Sequence, residues 1–262
     1  MAETTITFLG VGAHLPRPGQ DTSSFVINRR LLVDCGWSVA LRLELNGIDP
    51  TMLDTLYFTH CHPDHYMGLA GLLFWRGMAG RQQPDAPPLR IVGPPDDLPL
   101  VADLAQRYVQ SERFLRGGPP LELHPLEPGA VYETDAFRIE TVRSIHPVTG
   151  VCSRLIDQQT GAVIAFTGDT APNPAFQPLA KNADLLIHEA SLPPSHPEPG
   201  PRDGHSRAQD AAQVALKAGA KRLRLVHLYG GHENSSLAAA RVIFPDAELG
   251  REGETLVLPM PG

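Results

Sequence analysis

Apolar residues along this chain alternate with polar ones or gather in short runs, and both patterns predict strands. Ile6–Leu9 is a short strand ending in Gly10-Val11-Gly12, and Phe25–Asn28 and Leu31–Asp34 read as hairpin arms around Arg29–Arg30. Val39–Leu45 has helical spacing, and Leu53–Thr59 is an apolar strand. Met67–Trp75 predicts a helix in which Gly68 and Gly71 permit close packing. After a Pro-rich connector, Gln83–Pro88, come a strand at Leu89–Val92 and a helix from Asp97 to Arg113. Leu121–Leu126, Ala136–Val142, Ser153–Ile156 and Ala162–Thr167 follow as strands. Ala183–His188, Leu223–His227 and Leu256–Leu258 are further strands, and Arg207–Ala218 and Ser235–Ile243 are helices.

The strands fall in two runs, each followed by helices. That order predicts an α/β fold, an αββα sandwich of two sheets packed face to face with helices outside. Pro193–Pro201 reads as a surface loop rather than a boundary, because candidate site residues lie on both sides of it. A single domain over residues 1–262 is therefore expected.

With 42% hydrophobic and 19% charged residues in 262, the chain has ample material for a core. The formal net charge of -7 comes without a dense Lys/Arg run, so no polyanion-binding surface is evident. The short basic groups at Lys221-Arg222 with Arg224 and at Arg29–Arg30 read as ordinary solvated surface. Cys35, Cys61 and Cys152 are too sparse for a disulfide framework. With no apolar run long enough to span a bilayer and no secretory leader pattern, a soluble, cytoplasmic protein without membrane contact is expected.

The chemistry concentrates in Thr59-His60-Cys61-His62-Pro63-Asp64-His65, where a predicted strand ends. Three histidines and an aspartate in six positions supply imidazole and carboxylate donors of the kind zinc and its neighbours take. Pro63 interrupts the segment, so an irregular strand-to-helix loop is expected. On such a backbone Asp64 and His65 can serve a different ion from His60 and His62. Cys61, between two of these donors, is expected to point into the core as a small hydrophobe.

This stretch resembles the signature of the metallo-β-lactamase superfamily, His-x-His-x-Asp-His after a strand. With Tyr66-Met67-Gly68-Leu69-Ala70-Gly71-Leu72-Leu73 it is similar to the ribonuclease Z-like branch, as are Phe8-Leu9-Gly10-Val11-Gly12 and Leu32-Val33-Asp34-Cys35-Gly36. The resemblance implies two packed mixed β-sheets and two divalent metal ions, zinc or alternatively manganese. By it, His60, His62 and His146 hold one ion, Asp64, His65 and His227 the other, and Asp169 bridges them. Each of His146, Asp169 and His227 ends a predicted strand or follows one.

Two further segments resemble motifs of the same branch. Ile187-His188-Glu189-Ala190-Ser191 is similar to its His-Glu-Ala-Thr motif, and Gly204-His205-Ser206 to its His-Ser-Thr motif. The resemblance makes His205 the general acid toward the leaving oxygen, with Glu189 fixing its tautomer. Asp64 is a candidate to orient the attacking water with its spare oxygen. Ser206 also suits a helix N-cap, and His188 is either a supporting or a packed residue. His14, His124, His196 and His232 match no motif and are expected to be ordinary.

The resemblance therefore implies a metal-dependent phosphodiesterase. The branch's tRNA-processing members carry a long Gly/Pro-rich arm between the counterparts of His146 and Asp169, where this chain has 22 residues. A small or cyclic phosphodiester is therefore the expected substrate, with tRNA 3′-end processing as the alternative. An ester, thioester, lactone or sulfate-ester hydrolase on the same fold is a third reading, disfavoured for carbon esters by the Glu189–His205 pair. A homodimer is a further implication of the resemblance.

Overall fold

The computed structural model describes residues 3–80, 87–115 and 121–258. Most of the expected connector at 83–88 lies outside the described residues. Strands β1 (Thr4–Gly10), β2 (Ser24–Ile27), β3 (Leu31–Val33), β4 (Thr55–Tyr57), β5 (Leu89–Gly93) and β6 (Leu121–Pro125) form the first sheet. The second contains β7 (Val131–Glu133), β8 (Phe137–Arg143), β9 (Val151–Asp157), β10 (Val163–Phe166), β11 (Leu185–Glu189), β12 (Leu223–Val226) and β13 (Ala247–Leu249). A last strand, β14 (Thr255–Leu258), returns to the first sheet and pairs with β1.

Both sheets have seven strands, in the orders β14-β1-β2-β3-β4-β5-β6 and β13-β12-β11-β10-β9-β8-β7. Each is antiparallel at one end and parallel at the other: β3, β4, β5 and β6 run parallel, as do β10, β11, β12 and β13. Parallel strands are covered on both faces, which fits the fully buried β4 and β11. The helices are α1 (Val39–Leu45), α2 (Pro63–Tyr66), α3 (Leu69–Ala79), α4 (Leu98–Tyr108), α5 (Ser111–Phe114), α6 (Ala208–Ala218) and α7 (Glu233–Arg241). No helix among the described residues is long and apolar enough to cross a membrane.

Three apolar layers result. Between the sheets lie Ile6, Phe8, Phe25, Tyr57, Phe137, Leu155, Phe166 and Ile187. The Tyr57 hydroxyl meets the Ser153 hydroxyl at 2.8 Å there, which satisfies a buried phenol across the sandwich. Behind the first sheet, Leu43, Leu69, Leu72, Leu73 and Val101 of α1, α3 and α4 cover it. Behind the second, α6 buries only alanines, Ala208, Ala211, Ala212, Ala215 and Ala218, a smooth face that lets its backbone lie close to the strands.

Several elements differ from expectation. The helix expected from Asp97 to Arg113 is two, because Gln110 adopts a left-handed backbone (φ 48°) between α4 and α5. The strand expected over Leu53–Thr59 is regular only at Thr55–Tyr57, since Pro50–Met52 forms a 3-10 turn before it. β7 and β13 were not expected; each has three residues, too few to show a period. Gly68 is needed as expected, since a Cβ there would lie 2.0 Å from the Gly36 carbonyl oxygen, whereas Gly71 faces open space.

Candidate metal centre and its flanking acid–base pair

Loops leaving β3, β4, β8, β10, β11 and β12 converge at one end of the sandwich. The loop after β4 divides its donors by backbone conformation. His62 is extended (φ -78°, ψ 152°), and Pro63 at the first helical position starts α2. His60 and His62 therefore precede the helical turn, while Asp64 and His65 lie on it. That turn is pinned from behind by Cys35 N–H donating to the His65 carbonyl (2.7 Å) and by the Thr22 hydroxyl donating to the Asp64 carbonyl (2.8 Å).

Two clusters result, and Asp169 belongs to both. His60, His62, His146 and Asp169 form one, and Asp64, His65, His227 and Asp169 the other, with ligand-capable atoms mutually within 4.8 Å. Asp169 Oδ2 lies 3.7 Å from His60 Nε2, 4.0 Å from His146 Nε2 and 3.4 Å from His227 Nε2, and its Oδ1 lies 3.6 Å from His65 Nε2. Asp64 Oδ2 stands 3.2 Å from His227 Nε2 and 3.4 Å from His65 Nε2. Gly168 makes this arrangement feasible: its φ is +57°, and a Cβ there would meet Thr59 at 2.6 Å.

The hydrogen bonds behind the histidines set their tautomers. A carboxylate and a carbonyl can only accept, so His65 Nδ1–H donates to Asp34 (2.9 Å) and His146 Nδ1–H to Gly204 O (2.8 Å). The Thr59 hydroxyl gives its proton to Asp34 (2.9 Å) and so accepts from His60 Nδ1 (3.2 Å). The Ser191 hydroxyl meets Glu189 Oε2 and His227 Nδ1, each at 2.8 Å, which joins these two residues. In the neutral form of each imidazole Nε2 then keeps its lone pair toward the clusters.

His60 Nε2, His65 Nε2 and Asp169 Oδ1 are buried without a hydrogen-bond partner among the described residues. Buried polar atoms are rarely left so. Three unpartnered donor atoms amid imidazoles and carboxylates fit divalent metal ions, for which these are ordinary ligands.

Burial and the neighbouring imidazoles hold His60 well below the usual histidine range, and burial lowers His62 and His146 as well. His65 moves the other way: burial opposes its charge, but Asp34 and Asp169 outweigh burial and raise it. The Asp64 carboxyl is lowered, because the adjacent His227 and His65 imidazoles overcome its burial.

Glu189 is fully buried and accepts four hydrogen bonds. Thr170 N–H (2.9 Å) and His205 Nδ1–H (3.0 Å) reach Oε1, while Ser191 N–H (3.0 Å) and the Ser191 hydroxyl (2.8 Å) reach Oε2. Burial works against a charged His205, but the bond to Glu189 and the charges of Glu189, Asp169 and Asp64 push its pKa up to about 9. Its ring stacks on His227 at 5.7 Å and meets His146 edge-on at 5.1 Å, so the pair adjoins both clusters.

All nine site residues taken from the sequence thus converge. Ser206, however, does not cap α6. Arg207 occupies that position, with its N–H donating to Asp210 (2.9 Å), and the Ser206 hydroxyl instead donates to Thr170 O (2.8 Å), tying the His205 loop to the Asp169 loop. His188 donates to the Glu189 carbonyl (2.7 Å) beneath the site and packs near Phe176. Cys61 lies in the apolar layer behind the first sheet, and burial, with Asp97 and Asp34 nearby, pushes its thiol up to about 12. His124 and His196 lie elsewhere, on β6 and in the Pro-rich loop, and His232 belongs to neither cluster.

Sequence reasoning missed three contributors. Asp34, with a left-handed backbone (φ 55°), holds His65 and Thr59 at once; its signal was a carboxylate ending a strand before Cys35-Gly36. Ser191 carried no signal of its own beyond its place in the Glu189 motif. Tyr229, whose phenol is raised by burial and by Asp169, Glu189 and Asp64, gave none.

A beta-lactamase superfamily domain model matches residues 29–228. The chain is 30% identical to ribonuclease Z of Myxococcus xanthus (strain DK1622), with 99% of each chain covered. It is 28% identical to ribonuclease BN of Cronobacter sakazakii (strain ATCC BAA-894), covering 97% of this chain and 99% of that one. Among solved structures, the metallo-β-lactamase fold protein YhfI of Bacillus subtilis superposes with a TM-score of 0.80 at 24% identity, covering 98% of this chain and 100% of that one. The short form of human tRNase Z gives 0.78 at 24%, with the same coverage. The chain belongs to the metallo-β-lactamase superfamily, in its ribonuclease Z-like branch, and is a metal-dependent hydrolase.

Proposed function

We propose that this hydrolase cleaves phosphodiester bonds in RNA with two divalent ions, zinc first and manganese as the alternative. His60, His62 and His146 would hold one ion, Asp64, His65 and His227 the other, and Asp169 both. The carrying observation is the pair of clusters sharing Asp169, flanked by Glu189–His205. RNA is favoured over the small phosphodiester first expected because relatives aligned over nearly the whole chain are named ribonuclease Z and ribonuclease BN. Residues 1–262 act as one domain on this reading, since loops of both sheets supply the clusters.

Divalent ions at such a site lower the pKa of water and polarise a phosphoryl oxygen. The chain does the rest. Asp64 turns Oδ2 to His65 and His227, leaving Oδ1 to accept a hydrogen bond from the attacking water. His205 uses Nδ1 on Glu189, so a proton on Nε2 is available to the leaving oxygen. Glu189, held in place by its four donors, keeps that imidazole oriented.

One observation favours a small or cyclic phosphodiester as the second reading. β9 and β10 form a plain hairpin between His146 and Asp169. The alignment with the Myxococcus enzyme spans 315 positions against 262 residues here, so at least 53 of them are gaps opposite this chain. A homodimer belongs to the proposal too, supported by exposed Met67, Leu104 and Tyr108 along a groove between α3 and α4; sedimentation velocity tests it.

The deciding experiment incubates the zinc-loaded and the chelated chain with a 3′-extended tRNA precursor, beside bis(p-nitrophenyl) phosphate, cyclic nucleotides and a thioester. Zinc-dependent release of the trailer supports the RNA reading. Turnover of the small phosphodiesters alone moves the assignment to the second reading, and thioester turnover alone overturns both.

A further inference from the structure

The rim beside His205 is built from segments of two loops whose side chains there the proposed chemistry leaves unused. One follows β1 and carries His14 and Arg17; the other follows β12 and carries Tyr229 and Gly230. Three links hold them side by side. His227 N–H donates to Val11 O (2.8 Å), and Gly12 bridges Leu228. Arg17 lies directly over Gly230, where a Cβ would stand 1.2 Å from its Nη1. The rings form a chain leading out of the site: Tyr229 meets His205 edge-on at 6.4 Å, and His14 meets Tyr229 edge-on at 5.0 Å. Tyr229 is half-buried with no hydrogen-bond partner for its hydroxyl among the described residues, and His14 is exposed.

We propose that Tyr229 and His14 form a nucleoside subsite, taking the base of the nucleotide whose 3′-oxygen leaves. The side follows from His205, which protonates the leaving oxygen on the reading above and is the site residue that Tyr229 meets; to that extent the inference rests on that reading. The ligand class follows from the rim's chemistry. Aromatic rings beside a guanidinium accept any base face, and unstacked bases are commonly held this way. The phenol and the imidazole add hydrogen-bonding groups for the base edge or ribose.

Two short RNAs test this, one with adenine on the nucleotide whose 3′-oxygen leaves and one abasic there. The wild-type chain prefers the base-bearing RNA by about tenfold or more in kcat/KM, as one base–aromatic stack allows. In Tyr229→Ala that preference shrinks to within about twofold, Tyr229→Phe retains it, and zinc content verifies that the variants are intact. An undiminished preference in Tyr229→Ala overturns the subsite. A second readout needs no turnover: saturation-transfer NMR between the zinc-loaded chain and adenosine. A strong transfer that falls at least about threefold in Tyr229→Ala, and less in His14→Ala, supports the subsite, while equal transfer in all three overturns it. If neither RNA is cut, the RNA reading fails by itself and the NMR result still decides the subsite.

Discussion

The two metal clusters share Asp169 and differ in what stands behind their histidines. In the His60–His62–His146 cluster the groups in direct contact are neutral: the Thr59 hydroxyl, which itself donates to Asp34, behind His60 and the Gly204 carbonyl behind His146. In the Asp64–His65–His227 cluster the Asp34 carboxylate stands directly behind His65, while His227 reaches Glu189 through the Ser191 hydroxyl. The consequence appears in protonation. The first three histidines are held low, whereas Asp34 and Asp169 raise His65. A carboxylate-backed imidazole is the stronger ligand, but its proton must first leave. Uptake at the second cluster should therefore be tighter at alkaline pH and steeper in its pH dependence.

Breaking what the clusters share should cost most. Asp169→Ala is expected to empty both and to lower turnover on the order of 10³-fold or more; metal analysis beside activity checks this, and one ion retained at full occupancy would contradict a shared carboxylate. Next comes the group outside both. His205→Ala should lower turnover about 10²–10⁴-fold with two ions still bound, and full phosphodiesterase activity would remove His205 as the acid.

Smaller effects separate the clusters. Ser191→Ala should weaken zinc at the second cluster about 10–100-fold and spare the first, as read by a two-step competition titration. Repeating that titration between pH 6 and 8 should change the second step by about tenfold per unit and the first by much less. Equal slopes would mean that the backing groups do not distinguish the clusters.

The smallest effect concerns His205 in the metal-free chain. NMR titration should give a pKa near 9, falling toward the ordinary histidine value in Glu189→Gln. The sign follows from linkage. A histidine raised on folding contributes stability that is complete below pH 6.5 and is lost as pH rises through about 9. Metal-free wild type should therefore lose more stability over that window than Glu189→Gln.

The donors of Thr59–His65 were legible because four ligand types crowd a strand end, and Pro63 announced the change of backbone that parts them. His146, Asp169 and His227 were legible only through the resemblance, since a lone histidine or aspartate ending a strand has no period and no neighbour to mark it. The two sheets were legible from apolar runs, but β7 and β13 were too short to leave a pattern. The break at Gln110 was hidden because Gln110-Ser111-Glu112-Arg113 contains no Gly or Pro to mark it. Asp34 and Ser191 were missed for another reason. Their importance lies in contacts with residues 31 and 36 positions away, which no local spacing records.

The most direct test is anomalous diffraction from a zinc-loaded crystal at the zinc edge. Two peaks should appear, one within bonding distance of His60, His62 and His146, the other of Asp64, His65 and His227, with Asp169 touching both. A single peak, or two that leave Asp169 unengaged, would contradict the account.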